Sequence, residues 1–495
     1  MMLGSLYSAT EIQALEKKAF GEGVDGEALM DQAGAAMARL IQREESTPGL
    51  CVVFAGRGHN AGDAFVAAAH LEAAGWEVWV RALGPVEERS ALARKKAGGL
   101  SNRARQLPGA LTSLPAQVPA ILLDGLLGIG TRLPLRDDVR SLARELNHLR
   151  QEFSARVYAV DVPTGVTDEG IDPDTVRADL TMTVTFPKAA LLRDKAADHV
   201  GRLRIIELAE LAERADPSPP RPFVSYPGNL RALAPLRHFD SHKGEYGRIG
   251  LVAGSRDYPG AARLCATAAA RAGGGLINLY VLPEAYPFTA VSLPPEIIIR
   301  QVDTYAAIVH DRLDAIGLGP GLGHDRGPEL LDLIENFPGP MVVDADGLNL
   351  IAQAKPDLHR WQHPRLFTPH PGEMARLWQT QGRTRAEILT GFTSEYPVTL
   401  LLKGSRTLIG EKGRPLAYNS TGTPGQATGG SGDVLTGVCA ALLGRGLSCY
   451  DAARLGAWLC GRASELAVRR QSEEAMLPTD TIACLGPAFQ DLRSR

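Results

Sequence analysis

Twice along the chain, short apolar runs of strand length alternate with longer stretches whose apolar residues recur at helical spacing. Alternation of this kind leaves few options: parallel strands need crossover connections, and crossovers that are helices cover both faces of the sheet. The first series is CVVFA from 51, EVWV from 77, AILLD from 120, VYAVD from 157 and TMTVT from 181. The second is IGLVA from 249, LINLYV from 276, EIIIR from 296, DAIGLG from 314, MVVDADG from 341 and VTLLLKG from 398. Between them lies ADPSPPRPFVSYPG, in which five prolines interrupt both periodicities and predict a linker. At 495 residues the chain exceeds one core, since single cores stop growing at roughly 250–300 residues. The expected architecture is α/β, two three-layer α/β/α domains over residues 1–214 and 229–495, joined by a linker at 215–228. In the first, GEALMDQAGAAMARLIQ sets Leu29, Met30, Ala33, Met37, Leu40 and Ile41 on one helical stripe, expected to face the core.

With 53 basic and 56 acidic residues, the formal charge of −3 offers no clustered basic excess, so nucleic acid is not an expected partner. No run approaches 18 uninterrupted apolar residues, and the N-terminus turns polar early, so no membrane partner and a cytoplasmic location are expected. The six cysteines form no CxxC pair and sit mostly in apolar surroundings, which predicts buried free thiols.

In the second domain, STGTPGQATGGSGDVLTGVCAALL over residues 420–443 is a loop of glycines and small hydroxyls running directly into a helix. Backbone N–H groups and the helix N-terminus there suit a phosphate. Asp433 at the helix start reads either as a helix cap or as a base for a substrate hydroxyl, the second favoured by the anion cradle beside it. GLGPGLG after the strand at 314, His370 and Glu373 in FTPHPGEMARL, Lys403 in LLKGSRT, and Asp344 and Asp346 in VVDADGLN all follow strand ends, where open α/β sheets build ligand sites. The two aspartates could orient Mg²⁺ through water or cap the next helix. No Walker A motif is present, and the pattern alone is that of a kinase-like domain for small-molecule phosphoryl transfer.

HKGEYGRIGLVAGSRDYPGAARLCATAAARAGGGLINL, GLGPGLG, VVDADGLN, TPHPGE, LLKGSRT and NSTGTPGQATGGSGDVLTG, in that order, closely resemble the ADP-dependent NAD(P)H-hydrate dehydratases of the ribokinase-like superfamily over residues 225–495. The resemblance implies that Ala261, Gly321, His370 and Asp433 contact the hydrated nucleotide. It further implies that Lys403, Gly404, Ser405, Arg406, Thr407 and Gly432 hold ADP or ATP, with Mg²⁺. The implied reaction is removal of water from the S epimer of hydrated NADH or NADPH, with Asp433 as base.

In the first domain, VVFAGRGHNAGDAFVAAAHLEAAGWEV is a strand, a Gly-rich turn and an amphipathic helix, while Asp124 in DGLLGIGTRLP and Asp161 in AVDVPTGV close strands. These segments, with ADLTMTVTFPKAALL and the helix ending LMDQAGAAMARLI, resemble the NAD(P)H-hydrate epimerase domain, a Rossmann-like unit, over about residues 1–212. The resemblance implies substrate contacts by His59, Asn60, Ala61, Gly62 and Asp63, by Gly128, Ile129, Gly130, Thr131, Arg132, Leu133 and Pro134, and by Asp161 as acid/base. It also implies a K⁺ site from Asn60, Asp124 and Thr164. The family loop reads GNNGGDG and this chain has GHNAGDA, so His59, Ala61 and Ala64 replace an asparagine and two glycines; Ala61 is unfavourable if the backbone there needs positive φ or close approach to a phosphate. A homo-oligomer is the expected assembly. The alternative is a small-alcohol kinase whose N-terminal half is an inactive nucleotide-binding or dimerisation scaffold.

Overall fold

LCVVFA is buried at every position and LTMTV at all but its last, as expected for strands covered on both faces. They are the first and sixth strands of a unit in a computed structural model that describes residues 4–115, 118–216, 220–323 and 325–494. Two units, Met1–Arg221 and Pro222–Arg495, divide the chain.

The first unit holds β1 (Leu50–Ala55), β2 (Glu77–Ala82), β3 (Arg105–Gln106), β4 (Ala120–Gly125), β5 (Arg156–Val160), β6 (Leu180–Val184) and β7 (Arg202–Ile206). Their order is β3-β2-β1-β4-β5-β6-β7, and every neighbouring pair is parallel. This is the doubly wound order of a Rossmann-like sheet, whose ligand crevice lies where the winding reverses, here between β1 and β4. Val53 and Val80 face one core with Met37, Ile41 and Phe65; Val52 and Phe54 face the other with Leu142, Leu146 and Leu149. β3 and β7 carry no strand signal in the sequence: β3 is two residues long, and RLRII intersperses arginines at the sheet edge.

The second unit holds β8 (Phe223–Ser225), β9 (Arg248–Val252), β10 (Leu276–Val281), β11 (Ile298–Gln301), β12 (Ala315–Leu318), β13 (Met341–Val343), β14 (Arg365–Phe367), β15 (Thr399–Leu402), β16 (Leu408–Gly410) and β17 (Ala417–Asn419). Their order is β11-β10-β9-β12-β13-β14-β15-β16-β17-β8. From β11 to β15 the pairs are parallel, and β16 turns antiparallel on β15 and β17 on β16. The helices Pro259–Arg271, Ser431–Gly444 and Cys449–Val468 supply one core, and residues such as Leu330, Leu333, Ile351 and Phe392 the other.

Residues 223–225 correct the expected linker at 215–228. They form β8, parallel to β17, with Phe223 N–H donating to Leu416 O at 3.0 Å and Phe223 and Val224 fully buried. Proline is tolerated beside an edge strand, so the surrounding prolines do not prevent this pairing. Positions 217–219 of that stretch lie outside the described residues. All six cysteines are buried and free. Among the described residues no helix is long and apolar enough to cross a membrane.

Candidate active sites

Five neighbouring strands of the second sheet, β9, β12, β13, β14 and β15, lead from their carboxyl ends to Ala261, Gly321, Asp344, His370 and Lys403, while Gly432 and Asp433 come on the helix that follows β17. β12 leads into Gly319 and Gly321, both at positive φ. Gly321 stands at +62°, and a Cβ added there would come within 2.8 Å of Ala261 Cβ and of Tyr258 Cβ. Glycine is therefore required at 321 both by conformation and by space, and the Gly321 and Ala261 backbones form one wall.

Asp344, at the end of β13, is the N-cap residue of the helix Ala345–Ala354, but its side chain makes no cap bond. Its Oδ1 instead accepts from Lys403 Nζ at 2.6 Å and its Oδ2 from Thr436 Oγ1 at 2.8 Å. Asp346 accepts from Gly323 N–H at 2.9 Å. The helix Ser431–Gly444 starts from Gly430, whose φ of +97° favours glycine, and no side chain caps its first turn. Asp433 therefore is not the N-cap; it sits in the first turn, beside Gly432, where a Cβ would meet Lys403 Nζ at 3.3 Å and Asp344 Oδ2 at 3.4 Å. Burial, reinforced by the Asp344 and Asp346 charges and only partly opposed by Lys403, pushes the Asp433 carboxyl up to about 6. A carboxylate so placed is a capable proton acceptor near neutral pH.

His370 caps the helix Pro371–Leu377: its Nδ1 accepts from Gly372 N–H at 3.0 Å and Glu373 N–H at 3.3 Å, and Glu373 Oε2 accepts from His370 N–H at 2.8 Å. The ring is half exposed, with Nε2 3.4 Å from Glu373 Oε1. In the loop 403–407, Gly404 and Ser405 are exposed and Arg406 is buried. Lys403 turns its ammonium inward to Asp344. The guanidinium of Arg385 packs where a Gly404 Cβ would stand and donates to Lys403 O at 3.5 Å. Thr436 and Arg385 escaped the sequence reading because a mid-helix threonine and an exposed-looking arginine carry no local signal.

In the first unit the helix His59–Ala73 begins inside the Gly-rich turn, with Gly58 as its N-cap. Ala61 is helical and is not among the residues at positive φ, so the conformational objection to alanine at 61 does not hold. Ala61 and Ala64 are fully buried, and a Cβ added at Gly125 would come within 2.6 Å of Ala64 Cβ. Asn60 Nδ2 donates to Leu127 O at 2.9 Å. Asp124, fully buried, accepts from Thr164 N–H and Oγ1–H, both at 2.7 Å, and from Leu126 N–H at 3.3 Å. Burial outweighs these bonds and pushes its carboxyl up to about 6. Asn60, Asp124 and Thr164 are thus brought together. The loop 128–134 is half-buried to exposed and is closed by Thr131 Oγ1–H donating to Gly128 O at 2.7 Å.

Asp161 adopts the left-handed region at φ +64° and points its carboxylate at Lys188, with Val184 N–H donating to the same oxygen at 2.9 Å. Lys188, nearly inaccessible, also donates to Thr183 Oγ1 and Val184 O, each at 3.1 Å. Asp63 and Glu16 lie within electrostatic reach of this pair, and burial together with the Asp161 charge raises both carboxyls, Asp63 well above the usual range. Lys188 belongs to the TFPK segment that carries the epimerase resemblance, but a lone lysine after a strand does not reveal that it is buried. Among the described residues, no group of three or more His, Cys, Asp or Glu side chains is placed to hold a metal.

A family described as NAD(P)H-hydrate dehydratase matches residues 249–486, and one described as YjeF-related protein N-terminus matches residues 26–190. The chain is similar to the bifunctional NAD(P)H-hydrate repair enzyme Nnr of Escherichia coli, 33% identical over 475 residues, with 92% of this chain and 88% of that protein covered. The corresponding protein of Coxiella burnetii is 33% identical over 498 residues, covering 96% and 97%. Among solved structures, the ADP/ATP-dependent NAD(P)H-hydrate dehydratase of Bacillus subtilis, co-crystallised with ATP/Mg²⁺, aligns at a TM-score of 0.50 and 28% identity, over 55% of this chain and 98% of that one.

Proposed function

Since the chain belongs to the family of bifunctional NAD(P)H-hydrate repair enzymes, we propose that the Asp433 pocket dehydrates the S hydrate and the Asp161 recess interconverts the R and S hydrates. The observation that carries this reading is Asp433 itself, a raised carboxyl in the first turn of an uncapped helix beside Lys403 and Asp344.

The hydroxyl on the hydrated ring is a poor leaving group. Asp433 takes its proton as the oxygen attacks the terminal phosphoryl of ADP or ATP, and the ring-nitrogen lone pair then expels phosphate. Loss of the neighbouring C–H proton restores the double bond. The amides at the start of the helix Ser431–Gly444, which no side chain caps, stabilise charge on the transferring group. Lys403, Gly404, Ser405, Arg406, Thr407 and Gly432 surround the nucleotide, with Arg385 as a further cation beside Gly404. Ala261, Gly321 and His370 line the hydrate side. Mg²⁺ fits this acidic pocket through Asp344 and Asp346 by way of water, and when bound it supplies charge neutralisation on the phosphates. The expected location is the cytoplasm and the expected assembly a homo-oligomer.

In the first unit, His59 to Asp63 and the loop 128–134 border the crevice between β1 and β4, with Asp161 as acid/base. K⁺ fits Asn60, Asp124 and Thr164. All three offer oxygen, and among the described residues the hydrogen bonds to the buried Asp124 come from backbone N–H groups and the Thr164 hydroxyl, with no cationic side chain among them. Bound there, K⁺ would supply the countercharge. Replacing K⁺ by Li⁺ is expected to lower the thermal midpoint of this unit, because a ligand bound only to the folded state stabilises it by mass action. Asp124→Asn should abolish that response; an Asn variant that still answers to K⁺ would place the ion elsewhere.

The defining experiment is incubation with mixed hydrated NADH epimers, Mg²⁺ and ADP or ATP, followed by absorbance of the reduced ring. Complete recovery is expected. Recovery halting at the S fraction would remove the epimerase assignment, and none at all would remove the dehydratase assignment.

A further inference from the structure

The helix Ala9–Gly21 precedes the matched residues 26–190, but the structure ties it into the Asp161 recess. Tyr7 forms an isolated parallel bridge with Lys188: Tyr7 N–H donates to Pro187 O and Ala189 N–H to Tyr7 O, both at 3.2 Å. The helix start is fixed by a Ser8–Glu11 capping box and by Ala9 N–H donating to Asp168 Oδ2 at 2.8 Å. Leu15 packs into the cluster of Tyr7, Ile12 and Phe186 that also receives Ile129 from the loop 128–134. The next residue, Glu16, is half-buried and lies within electrostatic reach of Asp161 and Lys188. Three carboxylates therefore lie within electrostatic reach of the Lys188 ammonium: Asp161 after β5, Asp63 on the helix His59–Ala73, and Glu16. Among the described residues only Asp161 is ion-paired with it.

We propose that Glu16 is the second acid/base group of the N-terminal site, giving a proton to the ring nitrogen of the hydrated nicotinamide while Asp161 takes one from the ring hydroxyl. This rests on the epimerase reading above. The substrate carbon that bears the hydroxyl also bears the ring nitrogen. When the O–H proton passes to Asp161, a C=O bond forms and the C–N bond breaks; its electron pair goes to nitrogen, which takes the Glu16 proton. Rotation about the adjacent C–C bond presents the other carbonyl face. Nitrogen then re-attacks, returning its proton to Glu16 as Asp161 reprotonates the oxygen. No oxidant or reductant is needed, and both carboxyls end as they began. Two groups of opposite protonation are required: Asp161 is ion-paired with Lys188, while burial and the Asp161 charge raise the Glu16 carboxyl.

The test follows R/S interconversion by NMR without nucleotide, so that dehydration is idle, across a pH series. Glu16→Gln is expected to lower kcat on the order of 100-fold with KM nearly unchanged, in the range usual for loss of one acid/base group. In the parent, the rate should fall as pH rises through the raised Glu16 pKa, because the acid form is consumed, and Glu16→Asp should retain a displaced alkaline fall. Thermal unfolding of both variants is measured alongside; a drop in rate that follows only a drop in folded fraction would overturn the proposal. So would a Glu16→Gln variant with parental kcat and pH profile while the parent interconverts the epimers. A parent that does not interconvert them removes the epimerase reading and this proposal together.

Discussion

Asp433→Asn is expected to reduce nucleotide-dependent dehydration by about 100- to 10,000-fold, the range over which a positioned base contributes. The same substitution should stabilise the ligand-free protein at neutral pH. The sign follows from the carboxyl standing at about 6 in the folded chain against an ordinary 3.8. Between those values the folded state binds more protons than the unfolded one, so rising pH removes stability until both are ionised. The difference corresponds to at most about 3 kcal/mol above pH 6, which a neutral amide does not incur. Activity has the opposite dependence: the base must be ionised, so in the parent the rate should climb through about pH 6. Kinetics and differential scanning calorimetry on one pair of proteins check both. An Asn variant that turns over normally, or that is inactive because it melts early, would refute the role of Asp433 as base. Burial of a bare carboxylate beside Asp344 is thus a stability cost located where the proposed chemistry needs it.

The central strands of both sheets were legible because fully buried parallel strands read as continuous apolar runs, and CVVFA and LINLYV carry that signal without help from the rest of the fold. The strand Phe223–Ser225 did not, because its prolines speak locally for a linker while its pairing with β17 depends on residues almost two hundred positions away. The same division holds at the sites. Asp433 and Asp161 sit in motifs whose glycines and strand ends announce a ligand, so local sequence finds them. Lys188, Glu16, Arg385 and Thr436 acquire meaning only from what folding sets opposite them. Ala61 is the reverse case: its departure from the family loop suggests strain, but the helix that begins at His59 gives it ordinary backbone geometry.

Lys188 should be the residue of the first unit least tolerant of losing its charge. Lys188→Met keeps most of the apolar stem, which isolates the effect of the ammonium. What remains is the Asp161 carboxylate, 8% exposed, with Val184 N–H still donating to it but no countercharge. Breaking one side of a buried pair costs about 3–5 kcal/mol, chiefly because the surviving charge is stranded. That is a large share of the roughly 5–15 kcal/mol that holds a domain folded. Hydrogen exchange over residues 156–188 should therefore accelerate by two to three orders of magnitude, while protection in β9 and β12 is unchanged. Adding Asp161→Asn removes the stranded charge, so the double variant should recover most of the loss; such non-additivity marks two groups in direct contact. Strictly additive losses, or a Lys188→Met variant as protected as the parent, would mean that this ammonium does not hold Asp161. Neither variant should epimerise, since one lacks the group that positions the carboxylate and the other the carboxylate itself.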